Sequence, residues 1–202
     1  VIVKLNIDES INEIQRPISI SNESASVPDG FARWQKTNVE KQSQGGFNSV
    51  FIGLESGDIT ANQLRSVAEI IRDYSAEGFA RNGFSQNIVI RYVHGDDLKS
   101  MYSKLLETGL AKTGSLTMAS AVGCSGTTSC NLALTNSHRL AKEVQRKFLE
   151  LKLDEDDDLK DSTIKISGCP NSCGQHEVAT IGFYGGGGRH ENEMFPNYTM
   201  SL

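Results

Sequence analysis

The 202-residue sequence has no excess of positive charge, no long apolar run and only four cysteines. Its formal net charge at pH 7 is −5, and no basic stripe offsets the acidic residues, which argues against a nucleic-acid partner. No apolar run approaches the length of a membrane-spanning helix, and the N-terminus has neither the basic nor the apolar region of a signal peptide. These absences predict a cytoplasmic protein with no membrane partner.

The overall composition is that of an ordinary globular protein. Hydrophobic residues make up 38% of the chain and charged residues 22%. This length can bury a substantial core, either as one domain or as two small ones. Because the chain begins with Val1 and its opening stretch looks like mid-chain sequence, we expect it to be part of a longer protein.

Residues 48–110 show the periodicity of alternating strands and helices. Thr60 and Gln63 have the spacing of a capping box, which predicts a helix start. The strand–helix–strand–helix order is typical of a helix-covered sheet of ferredoxin-like type. The predicted elements are strands 49–54 and 87–93 and helices 60–78 and 98–109.

The second half of the chain, from about residue 115, has a different pattern. It predicts one long helix, and the acidic run 154–158 that follows it is typical of a solvated loop. Four consecutive glycines at 185–188 predict a turn that closes a strand, since no phosphate-loop sequence follows them. The predicted elements are helix 132–151 and strands 163–167 and 178–184.

The four cysteines form two close pairs in glycine-bearing turns, Cys124-x5-Cys130 and Cys169-x3-Cys173. A disulfide framework needs an oxidising compartment, which nothing in the sequence indicates. Zinc sites usually space paired cysteines by two to four residues, so a spacer of five fits them poorly. An iron–sulfur cluster accepts both spacings and needs four sulfurs. Ligand chemistry therefore favours a cluster, with zinc as the second hypothesis.

Several segments around these turns resemble the siroheme-dependent sulfite and nitrite reductases, over most of residues 31–202. The second turn, with the sequence GCPNSCGQ, is the most characteristic of them, and the interval between the two turns is also close to that of the family. The matching segments are RWQKTNV at 33–39, SQNIVIR at 85–91, GCPNSCGQ at 168–175 and IGFYG at 181–185.

The resemblance implies an α+β fold with two folded parts. An N-terminal extended segment or linker is expected at residues 1–30. A ferredoxin-like half-domain is expected at 31–114, followed by an α/β nitrite/sulfite reductase 4Fe–4S domain at 115–202 that also binds siroheme.

The resemblance also implies two linked cofactors. In this family four cysteines hold a [4Fe–4S] cluster and the last one bridges to the siroheme iron. Carried over, Cys124, Cys130, Cys169 and Cys173 are the cluster ligands and Cys173 also binds the siroheme iron. Asn171 matches a family residue near the cluster and the macrocycle; the alternative is that it only stabilises the turn.

Siroheme is rich in carboxylates, so its pocket needs cations and polar donors. Arg81, Gln86, Asn87 and Arg91 match the segment that contacts the macrocycle in the family. The sequence departs from the family at Gly83, where a threonine is common. For Arg91 the alternative is a surface ion pair.

Other polar residues are weaker candidates for the same pocket. Arg33, Thr37 and Asn38 are expected to line it beside Trp34, although a lone tryptophan is more often a core or interface anchor. His176 is close to the second turn, and two hypotheses stand for it: contact with a cofactor carboxylate or, more commonly for such a loop histidine, a position that faces the solvent.

The activity implied by the resemblance is six-electron reduction of sulfite to sulfide or of nitrite to ammonia. The expected partners are a ferredoxin or flavoprotein electron donor, a small inorganic anion as substrate, and the missing N-terminal half of the same enzyme. That half carries the substrate-binding lysines and arginines in the family, so the chain alone is expected to be inactive. The alternatives are an electron-transfer iron–sulfur module without substrate binding, or an interaction domain held together by zinc.

Overall fold

The computed structural model describes residues 27–202, so nearly all of the predicted N-terminal extended segment lies outside the described residues. The chain has the expected α+β architecture, with two four-stranded sheets that follow one another in sequence. Within 27–202, the helices are all too short or too polar to cross a membrane. The elements are α1 Phe31–Asn38, β1 Val39–Lys41, β2 Phe47–Ile52, α2 Ala61–Tyr74, β3 Ala80–Asn82, β4 Ile88–His94, α3 Leu98–Glu107, β5 Val122–Gly123, α4 Ser137–Glu150, β6 Ile164–Ser167, β7 Ile181–His190 and β8 Glu193–Ser201.

The first sheet has the order β1-β2-β4-β3, and all of its strands are antiparallel. The predicted order strand, helix, strand, helix is confirmed by β2, α2, β4 and α3. The helices cover one face of the sheet and enclose a core in which nine large apolar side chains are almost fully buried. These are Trp34, Val50, Ile52, Val67, Ile70, Ile90, Val93, Met101 and Leu105.

Helix α2 begins as the sequence predicts and ends earlier than predicted. The Thr60 hydroxyl accepts from the Gln63 N–H, and the Gln63 side chain accepts from the Thr60 N–H, which makes a complete capping box. The helix ends at Tyr74 because the Ser75 hydroxyl donates to the Arg91 carbonyl oxygen at 2.9 Å. This contact draws the chain onto the edge of the sheet.

The second sheet has the order β5-β6-β7-β8, in which the first three strands are parallel and β8 is antiparallel to β7. Helix α4 connects β5 to β6 and packs on them, so these elements form a βαβ unit. The small core between helix and sheet is built from Met118, Ala121, Ala141, Ile164 and Ile166.

The predicted start of the long helix at residue 132 is wrong, because α4 begins at Ser137. The Asn136 side chain caps it by accepting from the Arg139 N–H at 3.0 Å. The preceding residues are held elsewhere: the N–H groups of Leu134 and Thr135 both donate to the Gly168 carbonyl oxygen. That tertiary contact keeps them out of the helix.

The predicted turn at the four glycines is also wrong, because β7 runs through them to His190 and pairs with β8 along its length. A Cβ atom at Gly185 would stand 2.1 Å from the Thr135 hydroxyl oxygen and 2.3 Å from the Gly168 carbonyl oxygen. Glycine is needed at this position because another part of the backbone lies directly against it.

In the acidic run after α4, residues 155–158 are exposed, as predicted for a solvated loop, but Asp154 is not. The Asp154 side chain is fully buried and accepts two hydrogen bonds from the Arg33 guanidinium, one of them 2.9 Å long. Arg33 also pairs with Glu155 at 3.1 Å, and Lys36 pairs with Asp157 at 2.9 Å. These ion pairs therefore connect helix α1, which packs on the first sheet, to the segment that follows α4 in the second half of the chain.

A second junction joins α4 to the loop after β2. The Asp58 carboxylate accepts from Lys142 at 2.6 Å and lies 3.3 Å from the His138 ring nitrogen. The Ser56 hydroxyl donates to the His138 carbonyl oxygen at 3.1 Å. The hydrogen bond from Lys142, more than any other contact, lowers the pKa of Asp58 below its usual range.

We predict that Arg33→Ala lowers the free energy of unfolding by about 3 kcal/mol, because it leaves the buried Asp154 carboxylate unpaired. Urea unfolding at neutral pH measures this change. Lys36→Ala is the matched control on the same helix, and we expect a much smaller effect since both members of its ion pair are exposed. Equal losses in the two variants would contradict the prediction.

The glycine contact gives a second prediction. We expect Gly185→Ala to lower the free energy of unfolding by about 2 kcal/mol, because its methyl group has no space against the Gly168 backbone. Gly187→Ala, on the same strand, meets nothing closer than the Met194 methyl group at 3.4 Å and should leave stability unchanged or slightly raised. If both variants lose stability alike in urea unfolding, close approach is not the reason for the glycine.

Candidate functional site

The two cysteine turns lie side by side at one edge of the second sheet. Strands β5 and β6 are parallel neighbours, with Gly123 paired to Ile166, and each strand runs directly into one turn. The Cys124 N–H donates to the Ile166 carbonyl oxygen at 3.1 Å, which extends the pairing into the first turn. Because the carboxyl ends of parallel strands meet at the same edge, thiols far apart in sequence are brought to one place.

Glycines allow the two turns to touch through their backbones. A Cβ atom at Gly168 would stand 2.9 Å from the Gly126 Cα atom, and one at Gly126 would stand 2.5 Å from the Ser137 hydroxyl oxygen. Gly126 also has a φ of +54°, in the left-handed region that favours glycine. The contact between the turns therefore requires glycine at both positions.

Cys124 is the most firmly held of the four thiols. Its sulfur accepts from the Gly168 N–H at 3.1 Å and lies 3.1 Å from the Ser137 hydroxyl oxygen. The same hydroxyl donates to the Cys124 carbonyl oxygen at 2.9 Å. All four cysteines are free thiols, and Cys130 and Cys173 are exposed.

The arrangement of the thiols bears on which metal they could hold. Throughout 27–202, no three Cys, His, Asp or Glu side chains come close enough together to ligate a single ion. A tetrahedral zinc site would need all four sulfurs about 2.3 Å from one centre. The sulfurs of a four-iron cluster each bind a different iron, so they stand farther apart. A cluster therefore needs two adjacent cysteine turns, which is the arrangement of these turns, and does not need all four sulfurs at one point.

A buried histidine stabilises the second cysteine turn through a hydrogen-bonded serine. The hypothesis that His176 faces the solvent is wrong, because it is only 5% exposed and packs on the Tyr184 ring. Its Nδ1 atom lies 2.9 Å from the Ser167 hydroxyl, which accepts from the Gly174 N–H at 3.0 Å. His176 therefore stabilises the second turn from within the protein. Asn171 is exposed on the same turn.

Gln86 contacts the first cysteine turn directly. Its side-chain N–H donates to the Gly123 carbonyl oxygen at 2.8 Å, and its side-chain oxygen accepts from the Gly123 N–H at 3.2 Å. The neighbouring Asn87 is buried, and its side-chain oxygen has no hydrogen-bond partner among the described residues. A Cβ atom at Gly83 would stand 1.9 Å from that oxygen, so the departure from threonine makes room for Asn87.

Arg81 and Arg91 meet at Glu77. Arg91 binds both carboxylate oxygens of Glu77, at 3.2 and 2.8 Å, and Arg81 binds one of them. Burial acts to raise the pKa of Glu77, but the hydrogen bonds from the two guanidinium groups outweigh it and lower the pKa. Arg91 therefore forms an ion pair with Glu77, which agrees with the alternative hypothesis of a surface ion pair.

A cavity of about 430 Å³ lies between the β3–β4 hairpin and the start of β6. Its lining includes Arg81, Asn87, Lys160 and Lys165, together with the exposed Phe84. It opens at the amino end of β6, whereas the cysteine turns lie at the carboxyl end. Arg81 and Asn87 therefore line a cavity at the opposite end of β6 from the cysteine turns, whereas Gln86 binds the Gly123 backbone next to the first turn.

The four residues of the RWQKTNV segment that were expected to line the pocket instead build the core and its junctions. Trp34 is fully buried and packs on Tyr102, with ring centroids 5.0 Å apart. Thr37 is buried beside it, and Asn38 donates to the carbonyl oxygens of Phe51 and Lys112. Since Arg33 is held by the acidic run, the expectation that this segment contacts the cofactor is wrong.

Comparison with known proteins agrees with this fold. Residues 40–108 match the family model of the nitrite/sulfite reductase ferredoxin-like half domain. The chain is 29% identical over 172 residues to a ferredoxin–nitrite reductase from Synechococcus elongatus, covering 84% of this chain and 33% of that protein. It is 28% identical over 144 residues to sulfite reductase [ferredoxin] 1 from Mycolicibacterium paratuberculosis, covering 69% of this chain and 25% of that protein.

A solved structure shares the fold. The NirA protein of Mycobacterium tuberculosis superimposes with a TM-score of 0.67 at 22% sequence identity, over 82% of this chain and 30% of that one. The chain thus spans about a third or less of the length of the relatives it matches. Residues 40–108 thus match the nitrite/sulfite reductase ferredoxin-like half domain, and the chain as a whole is similar to ferredoxin-dependent nitrite and sulfite reductases.

Proposed function

We propose that this chain is the cluster-bearing part of a siroheme-dependent oxidoreductase that performs the six-electron reduction of sulfite to sulfide or of nitrite to ammonia. The observation that carries the proposal is the meeting of the two cysteine turns at the ends of β5 and β6. The two turns carry four free thiols between them, and four thiolates are the ligand set of a [4Fe–4S] cluster.

The four thiols have unequal surroundings, which suits a cluster that faces out of the protein. Cys124, Cys130, Cys169 and Cys173 would hold it, and the exposed Cys173 would also bind the siroheme iron. Bound there, the cluster supplies electrons and the siroheme iron supplies the position at which the substrate anion is reduced. The Gly168 N–H, which donates to the Cys124 sulfur, would stabilise negative charge on the cluster.

Apolar side chains exposed beside the two turns support a macrocycle at this edge. Leu132 and Leu134 follow Cys130 and are 70% and 50% exposed, and Val178 follows the second turn and is 75% exposed. Large apolar side chains exposed beside a ligand-binding turn are typical of a surface that a ligand or partner covers. Asn171 is exposed on the second turn, where its side chain could reach the cluster or the macrocycle.

The cationic part of the proposed siroheme site is already engaged with Glu77. Arg81 and Arg91 would bind siroheme carboxylates with guanidinium N–H groups that Glu77 does not use, and the Asn87 amide would donate to a carboxylate. Gln86 is already occupied by the Gly123 backbone. These four residues are therefore weaker candidates for cofactor contacts than the cysteines.

The partners follow from the same proposal. We expect a ferredoxin as the electron donor, in line with the names of both relatives, with a flavoprotein as the alternative. The substrate is a small inorganic anion, and the lysines and arginines that bind it come from an N-terminal half outside this chain. A cytoplasmic location remains part of the proposal. An electron carrier without substrate is the second hypothesis.

Anaerobic reconstitution with iron and sulfide tests the ligand set. We expect the chain to take up about four irons and to show the absorption and EPR spectrum of a [4Fe–4S] cluster. Cys169→Ser should lose most of this cluster, while Ser129→Ala, an exposed neighbour of Cys130, should keep it. Binding of a single zinc in place of iron, unaffected by sulfide, would support the interaction domain instead.

Activity of the isolated chain gives a separate prediction. With a chemical reductant, siroheme and either sulfite or nitrite, we expect no sulfide or ammonia, because the chain lacks the half that would bind the anion. The measurement is product release over many cofactor equivalents. Sustained turnover by the chain alone would show that the substrate-binding groups lie within these residues.

A further inference from the structure

The amide of Gln86 acts on the backbone of β5 as an additional strand would. Strand β5 is the edge strand of the second sheet, and β6 pairs with its inner side. On its outer side, the Gly123 N–H and carbonyl oxygen both bind the Gln86 side chain. A primary amide has one donor and one acceptor side by side, so it can satisfy both groups of one residue at once.

Helix α4 restrains Gly123 from a third direction. A Cβ atom at this position would stand 2.8 Å from the Ala141 methyl group and 2.9 Å from the Ser137 carbonyl oxygen. Gly123 is therefore enclosed by β6, by α4 and by Gln86. Because Cys124 is the next residue, its Cα position is determined by the same three contacts.

The backbone of Gln86 indicates that its side chain has a specific role. Its φ is +54°, a left-handed conformation that glycine and asparagine adopt more readily than glutamine. This conformation is strained for a residue with a side chain, because its Cβ atom approaches the backbone. The two hydrogen bonds to Gly123 account for a glutamine at a position where the backbone alone would favour glycine.

We propose that Gln86 is a positioning residue for the iron–sulfur cluster, which it serves by fixing Gly123 and therefore Cys124. The inference rests on the proposed function, since it concerns a cluster held by the two turns. Its consequence is that the ferredoxin-like unit, which contributes no thiol, controls the placement of one cluster ligand. Gln86 itself touches neither the thiols nor the cluster.

Two substitutions distinguish a role of the Gln86 amide in positioning Cys124 from a role of the Gln86 backbone in shaping its own turn. Gln86→Ala removes the amide and keeps the left-handed strain, whereas Gln86→Gly removes the amide and relieves the strain. If Gln86 only shapes the turn, Gln86→Gly should behave like the unaltered chain. If it positions Cys124, both variants should hold the cluster less firmly, although Gln86→Gly unfolds at the same temperature or higher.

The primary measurement is the half-life of the reconstituted cluster against an iron chelator under anaerobic conditions, followed by its visible absorption. We expect a half-life about tenfold shorter in both variants, the size of effect that loss of a ligand-orienting contact usually has. Gln86→Glu should not restore it, because its second oxygen would face the Gly123 carbonyl oxygen. Gln35→Ala, an exposed glutamine on α1, is the control.

A second measurement does not depend on the cluster. In the chain without iron, the Gly123 amide proton should exchange with solvent faster in Gln86→Ala than in the control, as observed by NMR. Unchanged cluster half-life in both variants, or unchanged exchange at Gly123, would overturn the inference alone. If the unaltered chain takes up no cluster at all, the proposed function fails and the inference fails with it.

Discussion

The direct contact between two glycine backbones is the constraint on which the rest of the site depends. Gly126 and Gly168 belong to different cysteine turns, and neither position has space for a side chain. Their approach lets the Gly168 N–H reach the Cys124 sulfur and lets the Gly168 carbonyl oxygen accept from the chain that precedes α4. A side chain at either position would push the turns apart and separate the thiols that the function requires.

The ferredoxin-like unit supports this site from outside through buried polar contacts. The ion pair between Arg33 and Asp154 fixes α1 against the chain that follows α4, and Asp58 binds the start of α4. The amide of Gln86 then reaches the strand that leads into the first turn. The two sheets thus act as one body, in which the first sheet stabilises thiols that belong entirely to the second.

Predictions succeeded where the determining contacts are local. The capping box of α2 and the alternation of β4 could be read because their partners lie within a few residues. Predictions failed where the partner is distant. The start of α4, the four glycines in β7 and the burial of Asp154 each depend on contacts with residues far away in sequence, which composition and periodicity do not reveal.

The candidate site divides in the same way. The sequence by itself determined the ligand chemistry, because four cysteines in two glycine-bearing turns restrict the metals that they can bind. Only the tertiary structure decided that Ser137 and Gly168 surround Cys124, that His176 lies inside the protein and that Gln86 serves the backbone. The physical reason is that side-chain chemistry is a property of each residue, whereas hydrogen-bond partners and close approaches exist only once distant segments have packed together.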